Sequence, residues 1–440
     1  MDSIRGIALD TLVEAENDFR SGLIRDVLNK YDYLDQRDKA FIKLLFEGTM
    51  HRLITLDFIL NRKSTVKVKK MRPVIRNILR LGLYQLLFTD SPSYAVVKES
   101  VDLARKRGFK QLSGFVNGIL RSFSSEIEKS GKEPGERHLI FLPEDLKKDR
   151  AGYLSIKYSC PEFITALFIS EHGDRAESIL EAFEKTRRVS LRFRTGLSEE
   201  KINNVIFKAS EMDVQPEQDA ELPLLYHASR TGDIRKLPGF EEGYFYVQDK
   251  SSIKAVMALD IREGETILDC CAAPGGKSIL ASELTGTKGM IYSFDVSESK
   301  KAIIEENASR LKVENVMVRV RDAAVHFTED DEKYDSVILD VPCSGLGVMG
   351  RKRDIAVNLK VEELDTILDL QRRIIDACAG YAKKGGKLLY STCTIRRAEN
   401  EEQVKYICEK YGYEILKEPV QLLPDEGEQD GFFYAVLKRI

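Results

Sequence analysis

The 440-residue chain has no apolar stretch that approaches the roughly 20 consecutive residues needed to span a membrane. Its opening, MDSIRGIALDTLVEAEN, lacks the apolar core of a secretory signal. The seven cysteines form an odd set, with no disulfide-like spacing and no Cys-x-x-Cys pair to suggest a metal. A reducing cytoplasm is therefore the expected home, with no membrane partner and no metal. No internal repeat is visible.

Two nucleotide-binding signatures are absent where one would look for them. ILDCCAAPGGKS (Ile267–Ser278) reads as a strand, a tight glycine turn and the start of a helix. Gly276, Lys277 and Ser278 match the tail of a phosphate-binding P-loop, but the leading glycine would stand at 271, where the residue is Cys271. A dinucleotide fingerprint needs Gly-x-Gly-x-x-Gly, and the only nearby glycines are Gly275 and Gly276. A turn that lets the backbone approach a small ligand, yet carries no phosphate cradle, fits S-adenosylmethionine.

What is present describes a multidomain globular protein: 43% hydrophobic and 32% charged residues over a length that calls for two or three domains. The net charge of −3 conceals an asymmetry. Residues 1–128 carry 22 Lys+Arg against 16 Asp+Glu, and the remaining 312 carry 46 against 55. The basic surplus lies largely in NRKSTVKVKKMR (Asn61–Arg72) and ARKRGFK (Ala104–Lys110). Basic clusters beside an acidic remainder point to a polyanion-binding module, with Lys67, Lys69, Lys70, Arg105 and Lys106 as candidate phosphate contacts. A solvated helix face is the alternative.

Helical periodicity runs through 1–128, with apolar steps at Phe41, Leu44, Leu45, Gly48, Leu53, Leu56, Ile59 and Leu60. An all-α bundle is expected there, followed by a polar linker over 129–144. Residues 145–238 mix helical and strand-like pieces and are expected to form a small α/β domain. From 239 to 440, strands and helices alternate regularly, which predicts a largely parallel sheet with ligands at its carboxyl edge. YEILKEP and GFFYAVLKRI read as a late antiparallel pair.

Four acidic residues fall at or just after predicted strand ends: Asp269, Asp295, Asp322 and Asp340. Asp295 lies 19 residues beyond Gly276, close to the spacing of a carboxylate that binds ribose hydroxyls. Taken singly, each could be no more than a helix cap. Cys343 in DVPCSG and Cys393 in YSTCTI also stand at strand ends, whereas Cys271, Cys378 and Cys408 read as structural. A thiol at a catalytic edge becomes a nucleophile when a cation or helix N-terminus lowers its pKa from about 8.5. Carbon 5 of cytosine is a poor nucleophile until a thiolate adds at carbon 6, so two such cysteines beside a methyl-donor pocket point to cytosine methylation.

LDCCAAPGGKS, FDVS, DVPCSGLGVMGRKRDI, YSTCTIRRAENEEQV and QDGFFYAVLKRI resemble the Nop2/Sun RNA cytosine-5 methyltransferases. YVQDKSS resembles that family's usual entry to the catalytic domain. The helical N-terminus, with SYAVVKESVDLARK and GFVNGILRSF, is similar to the antitermination factor NusB. The resemblance implies a NusB-like RNA-binding bundle over 1–128, a small RRM-like domain over 145–238, and a Rossmann-like methyltransferase domain over 239–440. It also implies a monomer that methylates carbon 5 of a cytosine in small-subunit (16S) ribosomal RNA.

Roles follow from the same resemblance. Cys271, Ala272, Ala273, Pro274, Gly275, Gly276 and Lys277 would wrap S-adenosylmethionine, with Asp295 on its ribose and Asp322 near its adenine. Asp340 would face both the donor and the cytosine. Cys393 of the Thr-Cys motif would be the nucleophile, and Cys343 of the Pro-Cys motif would assist product release. DNA cytosine methyltransferases attack from the Pro-Cys position, which keeps Cys343 as the alternative. The chain departs from the family's Arg-Arg-x-Pro-Asp at GRKRD (Gly350–Asp354), where Arg353 replaces the proline, and SLRFRT lacks the asparagine often found after its Leu-Arg. Two rivals remain on sequence grounds. An antitermination-type RNA-binding protein would leave both cysteines idle, and an ATPase would need the missing glycine at 271.

Overall fold

Local chemistry sets the helix starts in the first third of the chain. The Ser3 and Asp35 side chains accept from the backbone N–H groups of Gly6 and Asp38. Pro73 opens a helix where its missing N–H costs nothing. The computed structural model describes residues 3–16, 22–185 and 187–440, and helices run over Ile4–Ala15, Leu23–Lys30, Gln36–His51, Leu53–Lys63, Pro73–Phe88, Ser93–Lys106 and Ser113–Ser130. Pro73–Phe88 is the central helix, buried nearly all round by Ile78, Leu79, Leu81, Leu83, Leu86 and Leu87. Gly48 lets a neighbouring helix cross it, because a Cβ there would lie 2.0 Å from the Tyr84 ring. Arg80, buried within this apolar helix, is compensated by Asp57 (2.7 and 2.6 Å) and Glu16 (2.7 Å).

The chain divides into two compact units, Met1–Leu180 with Arg353–Asn358, and Glu181–Lys352 with Leu359–Ile440. The expected apolar stripe holds at Leu45, Leu56, Ile59 and Leu60 but not at Leu44, which is 47% exposed. The buried face of its helix is Ile42, Leu45, Phe46, Thr49 and Met50, a three-and-four-residue repeat that turns Leu44 outward. The stretch expected as a linker is ordered against the bundle. Ser113–Ser130 continues into it and ends at Gly131 in the left-handed region. Arg137 then donates to the Leu86 and Thr89 carbonyls (2.9 and 3.1 Å), and Phe141 enters the first core. The helices Arg150–Tyr158 and Glu162–His172 also lie in the first unit, so the division falls near residue 180 rather than at 144.

The second unit contains two sheets. The smaller is antiparallel, in the order β2-β3-β1-β4, from β1 (Val189–Phe193), β2 (Gln215–Gln218), β3 (Leu225–Ser229) and β4 (Phe245–Val247). Its last strand therefore lies beyond the 238 boundary read from sequence. The helix Glu199–Glu211, capped by Ser198, packs Ile202 and Val205 against Leu191, Phe193 and Phe245.

The larger sheet has the order β10-β11-β9-β8-β5-β6-β7. Its strands are β5 (Thr266–Asp269), β6 (Met290–Asp295), β7 (Val316–Val320), β8 (Tyr334–Asp340), β9 (Ala382–Thr392), β10 (Tyr413–Leu422) and β11 (Phe432–Arg439). From β9 to β7 all pairings are parallel, and the late strand pair closes the edge antiparallel, as expected. Alternation assigns the faces. Leu268, Val337, Leu339, Leu388 and Tyr390 pack in one core, and Ile267, Ile338 and Leu389 pack in the other. Sequence order reverses between β5 and β8, which opens a ligand crevice at their carboxyl ends. This is a Rossmann-like, doubly wound α/β architecture. No helix among the described residues is long and apolar enough to cross a membrane.

Candidate active site

The turn after β5 is built on a buried carboxylate. Asp269 accepts from Ser278 Oγ (2.7 Å), which itself accepts from Ser293 Oγ on β6 (2.8 Å). Burial pushes the Asp269 carboxyl up to about 7, against the opposing effect of the Ser278 bond. Sequence places four strand-end acids at the crevice, but Asp269 is 1% exposed and lies beneath the turn. It ties the first turn of the helix Gly276–Thr285 to the sheet. Gly275 carries a φ of +103°, which glycine alone adopts without strain. The Pro274 carbonyl is held by Tyr246 Oη (3.3 Å) and Asn307 Nδ2 (3.1 Å), two residues that sequence reading did not single out.

Asp295 ends β6 with its side chain 5% exposed. Its Oδ2 accepts from Ala273 N (2.9 Å), and its Oδ1 from Val296 N (2.7 Å) and Lys300 Nζ (3.0 Å). A carboxylate has about four acceptor positions. One therefore remains, and the half-exposed Lys300 can yield a second. A shaped turn, an open helix N-terminus and an acceptor at the end of the next strand fit an adenosyl ligand with ribose hydroxyls. Asp322 is exposed and accepts from Ala324 N (2.9 Å) within a turn, and no helix starts there for it to cap.

Asp340, at the end of β8, is pulled two ways. Lys277 Nζ pairs with its Oδ2 at 2.6 Å, and Ser391 Oγ donates to its Oδ1 at 2.7 Å. Lys277 also lies over the Phe432 ring at 5.3 Å, so the glycine turn, β8 and the terminal QDGFF segment meet at one ammonium group.

Beside Asp340, Cys343 Sγ and Cys393 Sγ approach to 3.1 Å, both thiols being free and half-buried. Their ionisation is opposed. The Cys343 thiol is pushed well up by its hydrogen bond to Cys393, by burial and by negative neighbours. The Cys393 thiol is drawn down by the bond it receives from Cys343, against burial and Asp340, with help from Lys352 and Lys277. Within the pair Cys393 is therefore the more acidic thiol, while the contact itself lets either sulfur donate.

The loops around them interlock. Gly347 N donates to the Cys393 carbonyl (3.1 Å), and Gly431 N to the Gly347 carbonyl (2.9 Å). A Cβ on Gly347 would lie 2.1 Å from the Gly431 carbonyl oxygen. In the GRKRD stretch, Arg351 is fixed by Asp249 (3.0 Å) and Asp430 (2.7 Å), while Arg353 begins the short segment that groups with the first unit. Cys378 is buried and Cys408 half-buried, away from these loops. Among the described residues no cluster of His, Cys, Asp and Glu could hold a metal ion.

In the first unit, Lys67, Lys69, Lys70, Arg105 and Lys106 are all exposed. Arg105 lies 3.6 Å from Asp102, and the other four have no ion pair among the described residues. Sequence reading passed over Ser391 and Glu399, although both stand inside motifs it quoted. Neither carries a signal of its own, because the bonds from Ser391 to Asp340 and from Ser344 to Glu399 each span more than 50 residues of sequence.

The family model for the 16S rRNA methyltransferase RsmB/F matches residues 256–438, and that of the NusB family matches 2–125. A probable ribosomal RNA small subunit methyltransferase B from Bacillus subtilis is 30% identical over 99% of both chains. Its counterpart from Synechocystis is 33% identical over 92% of both. The crystal structure of the protein PH0851 superposes over 99% of both chains with a TM-score of 0.78 at 23% identity, a likeness of fold.

Proposed function

The chain belongs to the RsmB/F family of 16S rRNA methyltransferases, and from that premise we propose that it methylates carbon 5 of a cytosine in small-subunit ribosomal RNA through a covalent adduct on Cys393. S-adenosylmethionine, when bound, supplies the methyl group. The turn Cys271–Lys277 receives it, Asp295 accepts from its ribose hydroxyls, and Asp322 stands near its adenine. Asp340, already carrying Lys277 on one oxygen and Ser391 on the other, accepts from the cytosine's exocyclic amine, or from ring N3 once that nitrogen carries a proton.

The Cys393 thiolate adds to carbon 6, forming a sulfur–carbon bond and moving the ring electrons to carbon 5. Carbon 5 would then take the methyl group as the donor's sulfur–methyl bond breaks, leaving S-adenosylhomocysteine. Transfer of the carbon 5 proton to solvent water restores the double bond as the bond between Cys393 sulfur and carbon 6 breaks and the thiolate is released. Cys343 donates its hydrogen bond to the thiolate before attack and assists its departure afterwards. The first unit binds RNA through its exposed basic clusters. The protein acts in the cytoplasm as a monomer, without a metal.

One observation carries the choice of nucleophile: two thiols at 3.1 Å whose ionisations are pushed in opposite directions. Methyl transfer and adduct formation are to be followed on ribosomal RNA with each cysteine replaced in turn. Cys393→Ala should lose both methylation and adduct. Cys343→Ala should attack and methylate but release slowly, accumulating a slow-migrating band that ribonuclease collapses. Adduct in Cys393→Ala and none in Cys343→Ala would overturn the assignment in favour of Cys343.

A further inference from the structure

Glu399 is an acidic side chain with no exposed surface, in a run of charged residues (RRAENEE) that reads as a solvated helix start. Burying a carboxylate is costly unless hydrogen bonds replace its water. Its oxygens accept from Ser344 Oγ (2.6 Å), Ser344 N (2.8 Å) and Gln371 Nε2 (3.0 Å). Gln371 Nε2 also donates to the Pro342 carbonyl (2.9 Å), so residues on both sides of Cys343 are gripped from one point. Ser344 Oγ lies 2.8 Å from Thr394 Oγ1, which follows Cys393. The Glu399 carbonyl in turn accepts from Tyr390 Oη (2.7 Å) on β9, the strand that delivers Cys393. One buried side chain therefore joins both cysteine loops.

We propose that Glu399 is a positioning residue that holds Cys343 in contact with Cys393 and, by its charge, keeps the shared proton on Cys343. Three donors and no acceptors face its oxygens, an arrangement that favours the ionised carboxylate. Burial prevails and raises its carboxyl above the ordinary value, against the Ser344 bonds, Arg396 (3.8 Å away) and Gln371. Its negative charge is among the causes that push the Cys343 thiol up. The other groups facing the pair are Asp340, Lys277 and Lys352 beside Cys393, and the buried Tyr390. None of these reaches the Pro342–Ser344 backbone as Glu399 does through its own bonds and through Gln371.

The inference rests on the proposed roles of the two cysteines, and its test is independent of which one attacks RNA. Alkylation of each cysteine in the full-length protein by iodoacetamide is to be followed by peptide mass spectrometry from about pH 6 to about pH 11, the Cys343 shift being read as the displacement of its whole rate–pH profile. In Glu399→Gln the Cys343 labelling midpoint should fall by roughly one pH unit, because a like charge is removed. An unmoved Cys343 midpoint in folded Glu399→Gln overturns the proposal. Should that variant fail to fold, Ser344→Ala decides. It keeps the charge but removes the hydroxyl between Glu399 and Thr394, and Cys393 labelling at neutral pH should fall about threefold as its donor loosens. Unchanged labelling in Ser344→Ala overturns the proposal equally. A shifted Cys343 profile alongside RNA adduct on Cys343 would keep the positioning role and remove only the assignment of the nucleophile.

Discussion

Replacing Cys343 by alanine removes the donor that favours the Cys393 thiolate, and the consequence can be worked through in numbers. Hydrogen bonds to charged groups contribute about 1.5–3 kcal/mol. A thiol is a weak donor, which places Cys343 just below that range, at about 1.4 kcal/mol or one pH unit. The Cys393 midpoint should therefore rise by about one unit. Below both midpoints the thiolate fraction falls about tenfold, while the more basic thiolate attacks about threefold faster, since nucleophilicity follows basicity with a coefficient of about 0.4–0.5. The net loss near neutral pH is about threefold, and well above both midpoints the variant should react faster than wild type. Rate–pH curves for iodoacetamide labelling of Cys393 should thus cross. Simple opening of the site by the smaller side chain would raise the whole curve without moving it. A Cys393 midpoint that stays fixed or falls in Cys343→Ala would refute the view that Cys343 donates to Cys393.

Three other outcomes are expected. Asp295→Ala should weaken S-adenosylmethionine binding about tenfold or more, because ribose hydroxyls lose a charged acceptor; unchanged affinity by calorimetry in a folded variant would remove Asp295 from the site. Replacing Lys67, Lys69, Lys70, Arg105 and Lys106 with glutamine should flatten the salt dependence of RNA binding, by about 0.7 in log–log slope for each lost phosphate contact on a single strand; an unchanged slope would make these clusters solvated faces. Asp269, with a folded value of about 7 against an ordinary 3.8, binds a proton in the folded state that the unfolded chain has lost between those values, so stability falls as pH rises through that window. Asp269→Asn removes this titration, and its stability relative to wild type should increase from pH 4 to pH 7 in urea unfolding; a constant difference would show that burial does not raise the Asp269 carboxyl.

The parts of the site that were legible in sequence are those set by local order along the chain. Alternating strands and helices put Asp295, Asp340, Cys343 and Cys393 at one sheet edge, because successive parallel strands end on the same side. Asp269 shares that pattern, yet its carboxylate turns under the loop to meet Ser278 and Ser293, a distinction that spacing alone does not carry. In the bundle, periodicity marked Leu45 correctly and Leu44 wrongly, since two neighbouring leucines leave the phase of the stripe open until packing selects it.

The amino-acid sequence by itself determined the architecture: a basic helical first unit, a parallel sheet with an antiparallel close, and a glycine turn unsuited to phosphate. These depend on periodicity, turn residues and charge, all properties of neighbours along the chain. Only the tertiary structure decided the chemistry of the cysteine pair. The 3.1 Å contact joins residues 50 apart, and the Glu399 grip on Ser344 joins residues 55 apart. A thiol's acidity depends on which charges and donors surround it in space, and those neighbours exist only once the loops after β8 and β9 have closed on each other.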